Sequence, residues 1–423
     1  MKKEQFSQKL ISFLEESSCS FTCVKEIRKQ LLEHGFVEFF EQDSWQKEQK
    51  FFIVRNDASI IAFEMPETKN DIFSIITTHL DTPALFFKPS GANVKDGYLK
   101  MNVMPYGGIL NYGWLDHPLA IAGRVMTMKN HHLKKQIIDF KKPMLIVPSV
   151  AIHQNDQANS NLDLNMQVDL QPILSLSKNT DDWNTLLKEA VKDEIIDYDL
   201  FAYNPMKPTI LGKNILVSPR IDNITSVHAS LQSFLESKSN SIKVFCSFNN
   251  EEIGSLTQEG ADSSFLLDSL KRVAALFDID IASSLAKSMI ISSDNTHAIH
   301  PNHPEYSDNT GTLHLGDGFA IIKEINSTTN AVSSSILKTL CKKHKIKYQD
   351  STSKNDIAGG STLSGISLRH VSALSIDVGI PQLAMHSSIE TCCTDDVFEL
   401  YKMMCAFYGT TFQIKKDQIT FLE

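Results

Sequence analysis

The 423-residue chain is 42% hydrophobic and 22% charged, and its 41 Lys and Arg against 50 Asp and Glu give a formal charge of −9. That supplies apolar residues for one large or two ordinary cores, and the acidic balance argues against nucleic acid or an anionic membrane as the main partner. No apolar run approaches the roughly 20 residues of a membrane span, and the scattered cysteines, with no C-x-x-C pair, suit neither a disulfide framework nor a zinc finger, which points to a reduced, cytoplasmic protein.

The first stretch, with Phe6, Leu10, Phe13 and Leu14 at helical spacing, reads as an amphipathic helix rather than a secretory signal. "VKEIRKQLLEHGF" reads as a second helix closing on Gly35, and "KFFIVRNDASIIAF" as a hairpin turning at Asn56-Asp57. "DIFSIITTHLDTP" is a strand running into a loop. From about residue 92 short β-type runs follow one another ("GYLKMNVM", "LAIAGRVMTMKN", "LKKQIIDF", "PMLIVPSVAI"), broken by the helical patch "WNTLLKEAV". After "ILVSPRIDN" helices and strands alternate again, through "SVHASLQSFL", "IKVFCSF", "SSFLLDSLKRVAAL", "KSMIISSD", "NAVSSSILKTLCKK", "STLSGISL", "VSALSIDVG" and "DVFELYKMMCAFYG". The expected architecture is an α/β domain from residues 1–91 and 216–423, a mixed sheet flanked by helices, interrupted by a β-rich insertion over 92–215.

In open α/β sheets, sites form beyond the carboxyl ends of the strands. There the chain places His79 and Asp81, then Asp222 with Asn223, Glu251 with Glu252, Asp294, and His386. Singly, each has a plainer role: a loop hydrogen bond, a helix cap, a solvated turn, a satisfied core histidine. Jointly they offer the carboxylate and imidazole ligands that suit Zn²⁺ or a similar divalent ion. Two cations would also account for the adjacent glutamates, one as ligand and one free to move protons.

The stretches "TTHLDTPALFFKP", "YGGILNYGWLDHPLAIAGRV", "VPSVAIH", "LVSPRIDNITS", "NNEEIGS", "ISSDNTHAIHPN", "KNDIAGGST" and "DVGIPQLAMHSSIE" resemble, in order, those of the aspartyl aminopeptidases, a family of di-zinc metalloaminopeptidases. The resemblance implies two zinc ions per subunit, with manganese or cobalt able to replace one. His79 and Asp294 would bind one ion, Glu252 and His386 the other, and Asp222 would bridge them, followed by a cis peptide bond. Glu251 would be the general base, and Asp81 would orient the His79 ring. His153 would reach a neighbouring subunit's active site, Lys323 would meet acidic side chains, and Gly359-Gly360 would line the substrate loop. The implied substrates are peptides with a free N-terminus, and the implied assembly is a homodimer built through the inserted domain, extending to a tetrahedral dodecamer. The chain departs from the family at His117-Pro118, where an Arg-Asp pair is usual, and in "EINSTTNAV", which is shorter and bears on an Asp/Glu preference. A related dinuclear deacylase and an inactive assembly or cargo protein are the alternatives.

Overall fold

The computed structural model describes residues 1–356, 365–366 and 368–422. Its largest sheet has nine strands, in the order Val37–Phe39, Lys50–Arg55, Ser59–Glu64, Ile242–Phe248, Phe73–His79, Met289–Ser293, Leu374–Gly379, Phe319–Ile322 and Tyr348–Ser351. The four strands from Ile242–Phe248 to Leu374–Gly379 run parallel, so their carboxyl ends open on the same edge. Each is buried along nearly its whole length, which is why they read as continuous apolar runs rather than alternating ones.

One face of this sheet is covered by the helix Ile221–Glu236, whose residues 221–234 are all buried. A helix buried on all sides must satisfy its own polar groups. Three hydroxyls do so locally: those of Thr225, Ser230 and Ser233 donate to the carbonyls of Ile221 (2.9 Å), Val227 (3.0 Å) and Ser230 (2.8 Å), while both ring nitrogens of His228 are buried without a partner among the described residues. The helix Lys3–Glu16 packs against the same core through Phe6, Leu10, Phe13 and Leu14, the four positions its sequence period selects. Each such burial contributes about 1.5–3 kcal/mol. On the opposite face, Phe265–Phe277 closes a second core with Phe51, Phe63, Ile75 and Val244.

The seven-stranded sheet runs in the order Glu194–Tyr203, Ala84–Lys95, Tyr98–Tyr106, Ile173–Ser175, Leu145–Ile146, Pro118–Lys129 and His132–Asp139. Glu194–Tyr203 also pairs with Pro118–Lys129, which closes the first six strands into a ring around Leu85, Val103, Leu119, Ile121 and Leu200. Gly123 makes the closure possible, because a Cβ there would stand 2.1 Å from the carbonyl oxygen of Asp199. The helix Asp181–Ala190 packs on this core through Trp183 and Leu187. Of "PMLIVPSVAI", only Leu145–Ile146 pairs as a strand; Pro148 has no N–H for a ladder, and the chain beyond it forms exposed turns.

A five-stranded sheet of Thr209–Leu211, Ile215–Ser218, Glu390–Cys393, Pro381–Leu383 and Thr296–His297 lies beyond the carboxyl ends of the large sheet. The chain is thus mixed α/β with a second, β-rich part, as its element pattern anticipates. Among the described residues, no helix is long and apolar enough to cross a membrane.

Candidate metal centre

His79 ends its parallel strand, and the register sets it opposite Phe248, so the turn Asn249–Glu252 begins beside it. Asp294 follows the next strand, and its N–H donates to the carbonyl of Val378 (3.0 Å). Asp222 sits in a non-helical kink at the start of Ile221–Glu236, and the peptide bond to Asn223 is cis. His386 closes the loop after Pro381–Leu383 in the left-handed region, at φ 66°.

These segments bring the side chains into one basin. His79 Nε2 lies 3.1 Å from Asp294 Oδ1 and 3.4 Å from Asp222 Oδ1. His386 Nε2 lies 3.6 Å from Asp222 Oδ2 and 3.4 Å from Glu252 Oε2. Asp222 therefore turns one carboxylate oxygen to each histidine and belongs to both triads, His79–Asp222–Asp294 and Asp222–Glu252–His386. Glu251 joins His79 and Glu252 in a third cluster, and ligand atoms within each cluster lie within 4.8 Å of one another.

The donor chemistry fits divalent cations. Each imidazole has Nδ1 against a backbone carbonyl, His79 to Asp81 at 3.0 Å and His386 to Gly108 at 2.9 Å. A carbonyl can only accept, so Nδ1 carries the proton in both rings, and both Nε2 atoms face carboxylates. Lone pair against carboxylate is repulsive unless a proton or a cation stands between them. The Oδ1 of Asp222 and Oε1 of Glu252 are buried without a hydrogen-bond partner among the described residues, as metal ligands would be.

The titration pattern follows from the same crowding. Burial depresses the His79 imidazole, but Asp294, Asp222 and Asp81 outweigh it and leave its pKa well above the usual value. For His386 burial is likewise overridden, by Asp222 and Glu252, and the pKa rises to about 10. Burial lifts Glu251 to about 8, with His79 opposing and Asp294, Asp81 and Asp222 adding. Burial and then Asp222 push Glu252 well up, whereas Asp222 itself is held low because the two histidines overcome its burial.

Asp81 lies beside the His79 ring and has further partners. The His79 ring bonds the Asp81 backbone carbonyl, and the carboxylate stands 3.6 Å from Nδ1. That carboxylate also accepts the N–H of Glu251 on Oδ1 and of Glu252 on Oδ2, each at 3.1 Å. Tyr106, from the β-rich part, donates to Oδ2 (2.8 Å) and accepts from Asn250 Nδ2 (2.8 Å). Tyr106, Asn250 and Glu390, whose carboxylate accepts backbone N–H groups of the site, lie within the stretches that resemble the family, but sequence reasoning gives them no role. Burial lowers the pKa of His297, on the strand Thr296–His297; Asp222, Glu324 and Asp294 oppose that shift and His386 adds to it.

The remaining expected residues are His153, Lys323, Gly359 and Gly360. His153 is exposed in a turn, and its side chain has no hydrogen bond or ion pair among the described residues. Lys323 follows Phe319–Ile322, is exposed, and donates its N–H to the Ser351 carbonyl (3.0 Å). Gly359 and Gly360 lie outside the described residues.

A family model described as aminopeptidase I zinc metalloprotease (M18) matches residues 13–408. A probable M18 family aminopeptidase 2 of Clostridium novyi (strain NT) is 37% identical over 430 residues, covering 96% of this chain and 99% of that one. Among solved structures, a chain of the Ape4 and Nbr1 complex superposes with a TM-score of 0.92 at 28% identity, covering 96% of this chain and 86% of that one. The mApe1 dodecamer of S. cerevisiae superposes at 0.83 with 25% identity, over 96% of each chain.

Proposed function

The chain belongs to the M18 family of zinc metalloproteases, hydrolases that act as aminopeptidases, and on that footing we propose that it releases N-terminal residues from peptides at a centre of two zinc ions per subunit. The observation that carries this reading is Asp222, with one oxygen aimed into each of two histidine–carboxylate triads. His79 and Asp294 would hold one ion, Glu252 and His386 the other, and Asp222 both; manganese or cobalt could stand in at one position. Bound there, the ions supply Lewis acidity, polarising the scissile carbonyl and making a water acidic enough to lose its proton near neutrality.

Glu251 is the proton carrier in this reading. Its side-chain carboxylate has no hydrogen bond among the described residues, while its N–H is anchored on Asp81. A carboxylate anchored through its main chain and free at its tip can accept a proton from the attacking water and return it to the leaving amine. Its elevated pKa reflects burial among uncompensated acids, and nearby cationic charge would bring it down.

Lys323 is read as the partner of an acidic first side chain, and Gly359-Gly360 as part of the substrate loop. His153, exposed on its own chain, is read as serving a second copy's site, in a homodimer formed through residues 92–215. Residues 1–91 and 216–423 then form the catalytic domain. A dodecamer, the state named for the yeast mApe1 structure, is the expected larger assembly.

The test is hydrolysis of Asp-, Glu- and Leu-p-nitroanilides and their N-acetylated forms by chelator-stripped protein, with and without Zn²⁺, Mn²⁺ or Co²⁺. Metal-restored release from the free-amine Asp or Glu substrates is expected. Release from Leu alone would remove Lys323 as an acid-recognising group, and release only from acetylated substrates would make the protein a deacylase.

A further inference from the structure

Two buried acids stand behind the basin, and they bind it alike. Asp81 accepts the N–H groups of Glu251 and Glu252, one on each oxygen. Glu390, 2% exposed at the start of the strand Glu390–Cys393, accepts the N–H of Asp222 on Oε2 (3.0 Å) and of His386 on Oε1 (2.8 Å). We propose that Glu390 is a positioning residue for the metal centre, fixing the main chain of Asp222 and His386 so that their side chains converge.

This deepens the metal-centre reading and rests on Asp222 and His386 being ligands. Both residues leave regular structure at the point where Glu390 holds them. Asp222 lies in the kink after Arg220 (φ 60°), and His386 is itself left-handed (φ 66°), two residues after left-handed Ala384 (φ 56°). No helix or strand hydrogen bond occupies their N–H groups, so a side chain must accept them. Glu390 is held in turn: Gln382 Nε2 donates to Oε1 (3.3 Å), and Asn295 Nδ2 donates to Gln382 Oε1 (2.8 Å). Asn295 also donates its N–H to Asp294 Oδ1 (2.8 Å), so one chain of hydrogen bonds reaches three of the expected ligands. A glutamine at 390 offers a single acceptor oxygen and turns an NH₂ toward one of the two N–H groups.

The experiment compares Glu390→Gln with Asp222→Asn and with Val273→Ala, a buried position in the core on the far face of the sheet. Zinc affinity of chelator-stripped protein is measured by competition with a chromophoric chelator, beside melting temperature without zinc. E390Q should bind zinc roughly 10- to 100-fold more weakly and regain turnover at saturating zinc, whereas V273A should melt earlier and bind zinc as the wild type does. Wild-type zinc affinity in E390Q with affinity lost in D222N would overturn the proposal. Unchanged affinity in D222N as well would instead overturn the ligand reading beneath it. Should E390Q not fold, E390D, with both acceptor oxygens on a shorter stem, takes its place with the same expectations.

Discussion

Replacing His228 by Phe should remove a large part of the acid sensitivity of the fold. His228 lies inside the helix Ile221–Glu236, 1% exposed, with its ring 4.9 Å from that of Phe6 and 5.4 Å from that of Phe13. Burial first, and the Lys9 ammonium second, lower its pKa from 6.5 to about 3, the Phe6 backbone opposing. The folded state thus binds fewer protons than the unfolded chain between those values. The stability at stake is fully present above pH 6.5 and is lost as pH falls toward 3. The whole span corresponds to about 5 kcal/mol, of which about 2 kcal/mol is gone by about pH 5. For a chain of 423 residues, 2 kcal/mol corresponds to roughly 2 °C in melting temperature. The assay is a thermal melt of wild type and H228F at about pH 7.5 and about pH 5, taking the difference of differences so that every other titrating group cancels. The wild type should lose the extra 2 °C or so. Equal losses in both proteins would refute the linkage.

Glu251→Gln should keep zinc content and melting temperature while turnover falls roughly 10²- to 10⁴-fold; full activity in a metal-loaded sample would remove the proposed base. Tyr106→Phe deletes the hydroxyl that joins Asp81 to Asn250, and about 0.5–1.5 kcal/mol of stability should go with it. Its kcat should fall as the Glu251–Glu252 turn loosens, which steady-state kinetics beside a melt will show. Gly107→Ala sets a Cβ 3.1 Å from that of Glu252 at a backbone φ of 75°. It should weaken zinc binding measurably in a chelator competition, and an unchanged affinity would show that the Glu252 side chain yields without cost.

How much of this was readable from the chain depends on what each residue uses to act. His79, Asp222, Glu251, Glu252, Asp294 and His386 act through side chains at the ends of apolar runs, and a polar residue in that position is visible as a break in pattern. Glu390 and Tyr106 act through contacts set by tertiary packing. Glu390 meets the N–H of Asp222, a partner 168 positions away in sequence, and Tyr106 bridges from the β-rich part to the turn of the glutamates. Helices with a clear apolar period, such as Lys3–Glu16 and Phe265–Phe277, fall where the period puts them. The pairing that closes the β-rich ring joins Pro118–Lys129 to Glu194–Tyr203 across intervening turns, and nothing in the alternation of either strand names its partner.

The basin is also unbalanced in charge, and that imbalance links fold to activity. Asp81, Asp222, Glu251, Glu252, Asp294 and Glu390 place six carboxyl groups around two imidazoles, His79 and His386. Fully ionised, such a cluster is costly to bury unless positive charge enters it. Protons are one source, which is why burial and mutual repulsion raise Glu251, Glu252, Asp294 and Glu390 while both histidines are raised as well. Two dications, on the proposed reading, would be the other, and they would offset most of the negative charge on the same groups. Cation binding and proton release would then be two sides of one exchange in this basin. Asp81 and Glu390 would keep the geometry through that exchange as long as their own carboxylates stay ionised and accept the main-chain N–H groups. The ligand side chains would then trade protons for ions without the loops that carry them having to move.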